Sequence, residues 1–322
     1  MDAKKVVAGI DIGGTHTKIG FADNGGNIFS ERTLLTRDYK VFDEYIKAMS
    51  STIEQMKNNI AGIELAGIGV GAPNGNYYKG TIDFAPNLPW EEHLQIVDKL
   101  KKYYPSIPIV LTNDANAAAI GEMIYGGARG MNDFLVVTLG TGLGSGFVAN
   151  GKMIYGHDSF AGELGHVIVR RDGRQCGCGR KGCLETYVSA TGICRTVVEL
   201  MATTTLPSIF RDKEVDKIES KDIAKAAEEG DEIAKKAFEI TGRMLGESLA
   251  DAVAITSPET IFLFGGLAKA GKLIMEPTKK AMEENMLNIW KNKIKLRFSE
   301  LQDKDVAVLG AAALAWEAIN GN

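Results

Sequence analysis

The sequence predicts an α/β fold made of two related halves, and three observations carry that prediction. Strand-like and helix-like hydrophobic periods alternate along the chain. A strand, glycine turn, strand unit occurs twice: moving the chain by 126 positions, Gly14 onto Gly140, also lays Thr15, Gly20, Phe21, Asn24 and Gly25 over Thr141, Gly146, Phe147, Asn150 and Gly151. That offset is far above the roughly 20–50 residues of a solenoid repeat, so it reads as a duplication. Finally, 322 residues exceed one ordinary domain, and 45% hydrophobic residues suffice for two cores.

Taken in order, residues 5–12, 17–22 and 27–34 read as strands of an antiparallel meander, with the Asp23-Asn24-Gly25-Gly26 turn before the third. Phe42, Tyr45, Ile46, Met49, Ile53 and Met56 recur at steps of three and four, which predicts a helix over 41–57. A strand at 66–71 precedes the proline-punctuated loop 85–90, where each proline restricts its own residue and the one before it. A helix over 91–103, a strand at 109–112 and an alanine-rich helix over 115–125 complete the first copy. The second begins with strands at 134–139 and up to 149. It continues with a helix over 187–201, an irregular polar stretch at 203–220 and a long helix from the N-cap Asp231 to Pro258. A strand at 260–264, a helix over 277–290, strands at 294–298 and 306–308, and a helix over 310–319 close the pattern.

The charge balance, 37 Lys and Arg against 41 Asp and Glu for a net −4, gives no electrostatic reason to expect nucleic acid or an anionic membrane surface. No apolar run approaches the ~20 residues of a membrane span. The first residues, MDAKKVVAGIDIGG, lack the apolar core and cleavage site of a signal peptide. Four cysteines are too few for a disulfide framework in a chain of this length, and metal binding in a reducing cytoplasm is expected.

The metal ligands are expected within residues 162–185. His166, Cys176, Cys178 and Cys183 form a one-His, three-Cys set with C-x-C-x4-C spacing, the closed donor set of a structural zinc site. Glu163 and Glu185 bracket it. Glu163 and His166 lie three apart, on one helical face, but without a second histidine they do not make the H-E-x-x-H of a zinc protease. His157 reads as a surface or packing residue and Cys194 as core.

Three strand ends carry glycine turns: Gly13-Gly14-Thr15, Gly140-Thr141-Gly142-Leu143-Gly144 and Gly265-Gly266. Such turns bring backbone N–H groups against an anion, and threonine adds a hydroxyl donor, which points to a nucleotide with phosphates held between two halves. Neither the G-x4-G-K-[ST] loop nor an ordered G-x-G-x-x-G is present. Asp11, just before the first turn, suits a magnesium ion that keeps several waters. Asp114, flanked by Asn113 and Asn116 at the end of a strand, reads equally as an N-cap or as a general base for phosphoryl transfer.

Together, Asp11-Ile12-Gly13-Gly14-Thr15, Gly162-Glu163-Leu164-Gly165-His166 and the Cys176–Glu185 knot resemble the ROK family of bacterial sugar kinases. The resemblance covers nearly the whole chain. It implies the actin-like, hexokinase-type (ribonuclease H-like) fold, with residues 1–113 plus about 305–322 in a smaller domain and 114–304 in a larger one. It implies zinc on the His/Cys set, Asp114 as catalytic base, and Asn87, Asn113, Asp114, Glu163, His166 and Glu185 around the sugar. ATP, with magnesium, would meet Asp11, Gly13, Gly14, Thr15, Thr141, Gly142, Gly265 and Gly266. One departure is His16, where the first motif more often continues with lysine; Lys18 is close by. The expected activity is transfer of the ATP γ-phosphate to the 6-hydroxyl of glucose. N-acetylmannosamine, N-acetylglucosamine, fructose and allose are the alternative acceptors, and a non-catalytic sugar-sensing regulator is the alternative class. The lack of a helix-turn-helix extension speaks for the kinase. A homodimer is expected, as are hinges near 113–115 and 303–306 that let the domains close on sugar.

Overall fold

A computed structural model describes residues 3–90, 93–301 and 306–321. The first half opens with β1 (Lys4–Ile12), β2 (His16–Ala22) and β3 (Ile28–Leu35), paired antiparallel in succession. Asp23 shapes the β2–β3 turn, its Oδ1 accepting from the backbone N–H groups of Gly25 at 3.0 Å and Asn27 at 2.9 Å. Helix α1 (Phe42–Asn58) buries Tyr45, Ile46, Met49, Ile53 and Met56, the expected stripe. The chain then forms β4 (Ile63–Ala72), parallel to β1. A small sheet of β5 (Gly75–Asn76), β6 (Thr81–Asp83) and β7 (His93–Leu94) follows. A short α2 (Ile96–Lys101) leads to β8 (Ile109–Asn113), parallel to β4.

Helix α3 (Asp114–Tyr125) crosses to the second half. There β9 (Phe134–Leu139), β10 (Leu143–Ala149) and β11 (Lys152–Met153) repeat the antiparallel meander. Three helices, α4 (Ala190–Thr203), α5 (Ser220–Glu228) and α6 (Glu232–Thr256), precede β12 (Thr260–Phe264), which pairs parallel with β9. Helix α7 (Lys272–Asn285) and β13 (Lys295–Phe298), parallel to β12, complete this half. The final helix α8 (Val306–Asn320) returns to β1 and β4. The sheets run β3-β2-β1-β4-β8 and β11-β10-β9-β12-β13, with matching directions at matching places. The sequence duplication is therefore a duplicated sheet.

Several boundaries differ from the sequence reading. Residues 306–308 form the first turn of α8, not a strand: two β-branched valines suggest a strand locally, but the helix buries every residue from Val308 to Trp316. The helix expected over 91–103 is β7 plus the six-residue α2, and its first two residues lie outside the described ones. Pro277 is inside α7 rather than at its start. There it faces α6, where a Cβ on Gly242 would stand 2.5 Å from its ring, so close packing outweighs the lost N–H. The strands of the small sheet have too few residues to show a period, whereas α5, absent from the sequence reading, buries Ile223, Ala226 and Ala227 at helical spacing.

Strand alternation divides the core among four clusters. Val6, Ala8, Ile10 and Ile12 pack with α1 and α2 residues, whereas Val7 packs with α8 on the opposite face. Leu135, Val137 and Leu139 join the α4–α7 core, while Phe134 and Val136 join a smaller cluster with Ala119 of α3. Helix α8 lies directly on the first sheet because β1 and β4 offer glycine there. A Cβ on Gly9 would stand 2.1 Å from the Val308 carbonyl oxygen, and one on Gly69 would stand 1.8 Å from that of Ala311. Helices α3 and α8 cross equally closely at Gly121 and Gly310, whose absent Cβ atoms would meet backbone at 3.0 and 2.3 Å. These two helices lie between the two sheets, and the strands' C-terminal ends converge on one cleft.

Candidate active site

The cleft has a volume of about 470 Å³ and is lined from both halves. The ends of β1, β4 and β8 bring Asp11, Asn74 and Asn113; those of β9 and β12 bring Thr138, Gly140 and Gly265. Parallel α/β sheets characteristically place ligands at these carboxyl ends. A separate cavity, lined largely by apolar residues such as Phe147, Ile154, Val167 and Ile255, shares Glu163 but has only Asp251 as a further titratable group.

Asp114 is the first residue of α3, and Asn113 is its N-cap, the Asn113 side chain accepting from the Ala115 N–H at 2.8 Å. The cap role is thus filled by Asn113, which leaves the Asp114 carboxylate directed at the cleft. Asp114 Oδ1 also accepts from Ala115 N at 2.8 Å. The carboxylate is open to the cleft yet stands between walls that exclude much of its hydration. That desolvation raises its pKa above the ordinary carboxylate range, against the lowering effect of the backbone N–H groups.

Glu163, His166 and Glu185 line the same cleft. A 3-10 turn, Leu164–His166, makes residues three apart nearly eclipsed, so Glu163 and His166 share a face, Nε2 lying 4.0 Å from Glu163 Oε2. Glu185 reaches the same wall because Leu184 N–H donates to the Val167 carbonyl at 2.9 Å and Ile168 pairs with Cys183. Glu185 Oε1 lies 3.8 Å from His166 Nδ1. Glu163 is open to the cleft, but the surrounding walls strip part of its hydration and raise its pKa; His166 opposes that rise, and the nearby carboxylates of Asp114 and Glu185 add to it.

Behind this wall, the ligand atoms of His166, Cys176, Cys178 and Cys183 all fall within 4.8 Å of one another. Cys178 and Cys183 sulfurs are 3.6 Å apart, near the ~3.8 Å of two thiolates on a tetrahedral ion with ~2.3 Å bonds. His166 Nδ1 faces this set, 3.8 Å from Cys176 Sγ, while Nε2 lies on the Glu163 side. The residues fit a zinc ion in both chemistry and spacing. Arg180 fixes the His166 backbone, donating to its carbonyl at 3.0 Å.

Of the glycine turns, Gly140, Thr141, Gly142 and Gly265 line the cleft, whereas Gly13, Gly14, Thr15 and Gly266 do not. Gly14 instead backs Asn87, itself in the cleft: a Cβ on Gly14 would stand 2.2 Å from the Asn87 carbonyl oxygen. Gly142 is packed against Glu185, whose Oε2 would lie 2.6 Å from a Cβ there. Sequence reasoning missed Asn74 and Thr138. Asn74 holds φ +50 in the Ala72-Pro73-Asn74-Gly75 turn, with its amide donating to the carbonyls of Asp83 at 3.0 Å and Phe84 at 3.1 Å. The turn residues were visible in sequence; their convergence on the cleft was not. His157 is exposed, and Cys194 packs partly buried against the second core.

Comparison with known proteins gives concordant matches. The ROK family model matches residues 7–318. A glucokinase of Streptomyces coelicolor is 33% identical over 315 residues, covering 96% of this chain and 97% of that protein. The crystal structure of a ROK family glucokinase from Streptomyces griseus, in complex with glucose and AMPPNP, superposes with a TM-score of 0.80 at 32% identity, covering 97% of this chain and 99% of that one. A xylose repressor of Caldicellulosiruptor bescii is 26% identical, covering 96% of this chain and 77% of that protein.

Proposed function

The chain belongs to the ROK family and is an ATP-dependent sugar kinase, and we propose that it transfers the ATP γ-phosphate to the 6-hydroxyl of glucose, with Asp114 as general base. The observation that carries this reading is the convergence of Asn87, Asn113, Asp114, Glu163, His166 and Glu185 with Thr141, Gly142 and Gly265 in one cleft. Hydroxyls offer donors and acceptors at fixed angles, which suits this set of amides, carboxylates and imidazole. The backbone N–H groups of the glycine turns suit phosphates.

In the proposed reaction the 6-hydroxyl points at Asp114, which takes its proton as the oxygen attacks the γ-phosphorus. The bond from that phosphorus to the β–γ bridging oxygen breaks, and ADP leaves. A positioned base of this kind contributes about 10²–10⁴ in rate. Asn113 holds the base in place through the helix cap, and Glu163, His166, Glu185 and Asn87 orient the sugar ring. Magnesium would be held through Asp11 and would neutralise phosphate charge. Zinc on His166, Cys176, Cys178 and Cys183 would supply fixed geometry and no reactive atom. We assign residues 1–113 with 305–322 to one closing body and 114–304 to the other. The seating of α8 on β1 and β4 supports this assignment; α3 touches β9 and β10 but packs most extensively on α8, across the boundary. The expected hinge at 113–115 is the β8–α3 junction; of 303–306, only Val306 is among the described residues.

The likeness to a xylose repressor favours a second reading, a sugar-sensing protein that binds without turnover. A coupled assay with magnesium and ATP across hexoses and N-acetylhexosamines separates the two. Glucose should give the highest kcat/KM. A preference for N-acetylmannosamine, N-acetylglucosamine, fructose or allose would reassign the acceptor, and sugar binding with no ADP formed would favour the sensor.

A further inference from the structure

The two halves also touch outside the cleft, through an aromatic cluster. The turn between β5 and β6 carries Tyr77 and Tyr78, and the segment after β11 carries Tyr155. The Tyr77 and Tyr155 rings stack with centroids 4.1 Å apart and planes at 11°, and Tyr78 packs edge-on against both. Three hydrogen bonds run beside the stack. Tyr77 N–H donates to Ser159 Oγ at 2.7 Å, Asn76 Nδ2 to the Asp158 carbonyl at 3.0 Å, and the Tyr78 hydroxyl to the Gly156 carbonyl at 3.0 Å. Ser159 is buried at φ +76, a backbone state that serine adopts only when its surroundings impose it. Glu317 of α8 stands near both rings: after burial, its charge is the next cause holding both phenols above their ordinary pKa.

This cluster connects to both walls of the cleft over short distances along the chain. Tyr77 is three residues from Asn74, whose amide is itself pinned across the β5–β6 hairpin. Ser159 is four residues from Glu163, and the Gly162 carbonyl between them accepts from the Ser145 hydroxyl, which in turn accepts from Leu164 N–H at 3.2 Å. The glycine turns at 140–142 and 265 belong to other segments and make none of these contacts. An aromatic pair with its hydrogen bonds is therefore placed to fix the spacing of the sugar-facing walls, independently of the nucleotide side.

We propose that Tyr77 and Tyr155 are positioning residues for the reaction, clasping the sugar-facing loops of the two halves at the separation a bound hexose must bridge. The proposal rests on the sugar-kinase reading above. An off-set aromatic stack is a modest, context-dependent contact, so its loss should weaken the site without unfolding the chain.

The test compares Tyr77→Ala and Tyr155→Ala with Tyr77→Phe and Tyr155→Phe. Each alanine variant should raise the KM for the preferred hexose about tenfold, with the KM for ATP changed less than about twofold. The phenylalanine variants, which keep the stack, should restore the sugar KM. Small-angle scattering of the sugar-free alanine variants should give a larger radius of gyration than wild type, with an unchanged far-UV spectrum. Parallel rises in both KM values, or an unchanged sugar KM and radius of gyration, would overturn the clasp. If wild type phosphorylates no sugar, the kinase reading falls, and the scattering comparison still decides whether the tyrosines hold the halves together.

Discussion

Asp114 is subject to two opposing effects. Its place at a helix N-terminus and its bond from Ala115 N–H favour the charged form, while the cleft walls remove water from it. Desolvation wins, and the raised pKa has two consequences of opposite sign. As the proposed base, Asp114 would work only when ionised, so kcat/KM should fall as pH drops through a value above the ~4 of a free carboxylate. A pH–rate profile checks this. For stability, a folded pKa above the unfolded one contributes favourably at low pH, and that contribution is lost as pH rises through the folded pKa. At neutral pH the charged Asp114 therefore costs stability, and Asp114→Asn should leave the melting temperature equal or higher in a thermal scan. The sequence left Asp114 divided between cap and base. The structure starts the helix at Asp114 and so makes Asn113 its cap, a one-residue difference in the helix boundary that residue types do not fix.

At the scale of elements, the stretch 162–185 has two faces. Its cysteine side gathers four residues that could hold a metal ion, and its cleft side presents Glu163, His166 and Glu185. His166 belongs to both, through different ring nitrogens. The purified protein should contain about one zinc per subunit by elemental analysis. Cys178→Ser should lose that zinc, lower the melting temperature and weaken sugar binding together; full sugar affinity in a zinc-free variant would separate the knot from the site. The knot was legible because the four donors lie within eighteen residues in a spacing that few other structures need. The meanders and α1 were legible through their periods. The β5–β7 sheet, which carries Tyr77 and the turn holding Asn74, was not, because two- and three-residue strands have no period to detect. For the same reason a strong local bias at Val306–Val308 suggested a strand, and tertiary packing of α8 overrode it.

For the whole molecule, the repeated sheets are joined through two small-residue helices, α3 and α8. That join depends on backbone approaching backbone. A methyl group at Gly69 would collide with the Ala311 carbonyl in the middle of α8, where no flexible side chain can yield. Gly69→Ala should lower the free energy of unfolding by about 1–3 kcal/mol or more, seen as a lower urea midpoint. Gly266→Ala, where a Cβ would meet nothing within 4 Å and the backbone lies at φ −60, ψ −42, serves as the control and should shift the midpoint little. The duplication was visible in sequence as six coincident residues, and the paired glycine turns placed a ligand between the halves; which side chains line that cleft, Asn74 and Thr138 among them, was not, because it depends on how the strand ends of the two copies face each other.

In the proposed division of labour, Asp114 performs the chemistry while the surrounding wall performs the binding. The most direct test measures, on one preparation of Asp114→Asn, glucose affinity by calorimetry and ADP formation by single-turnover quench. Glucose should bind within a few-fold of wild type, and phosphoryl transfer should be slowed by about 10²–10⁴ or more. Transfer at a rate near wild type by a variant that binds glucose normally would contradict it.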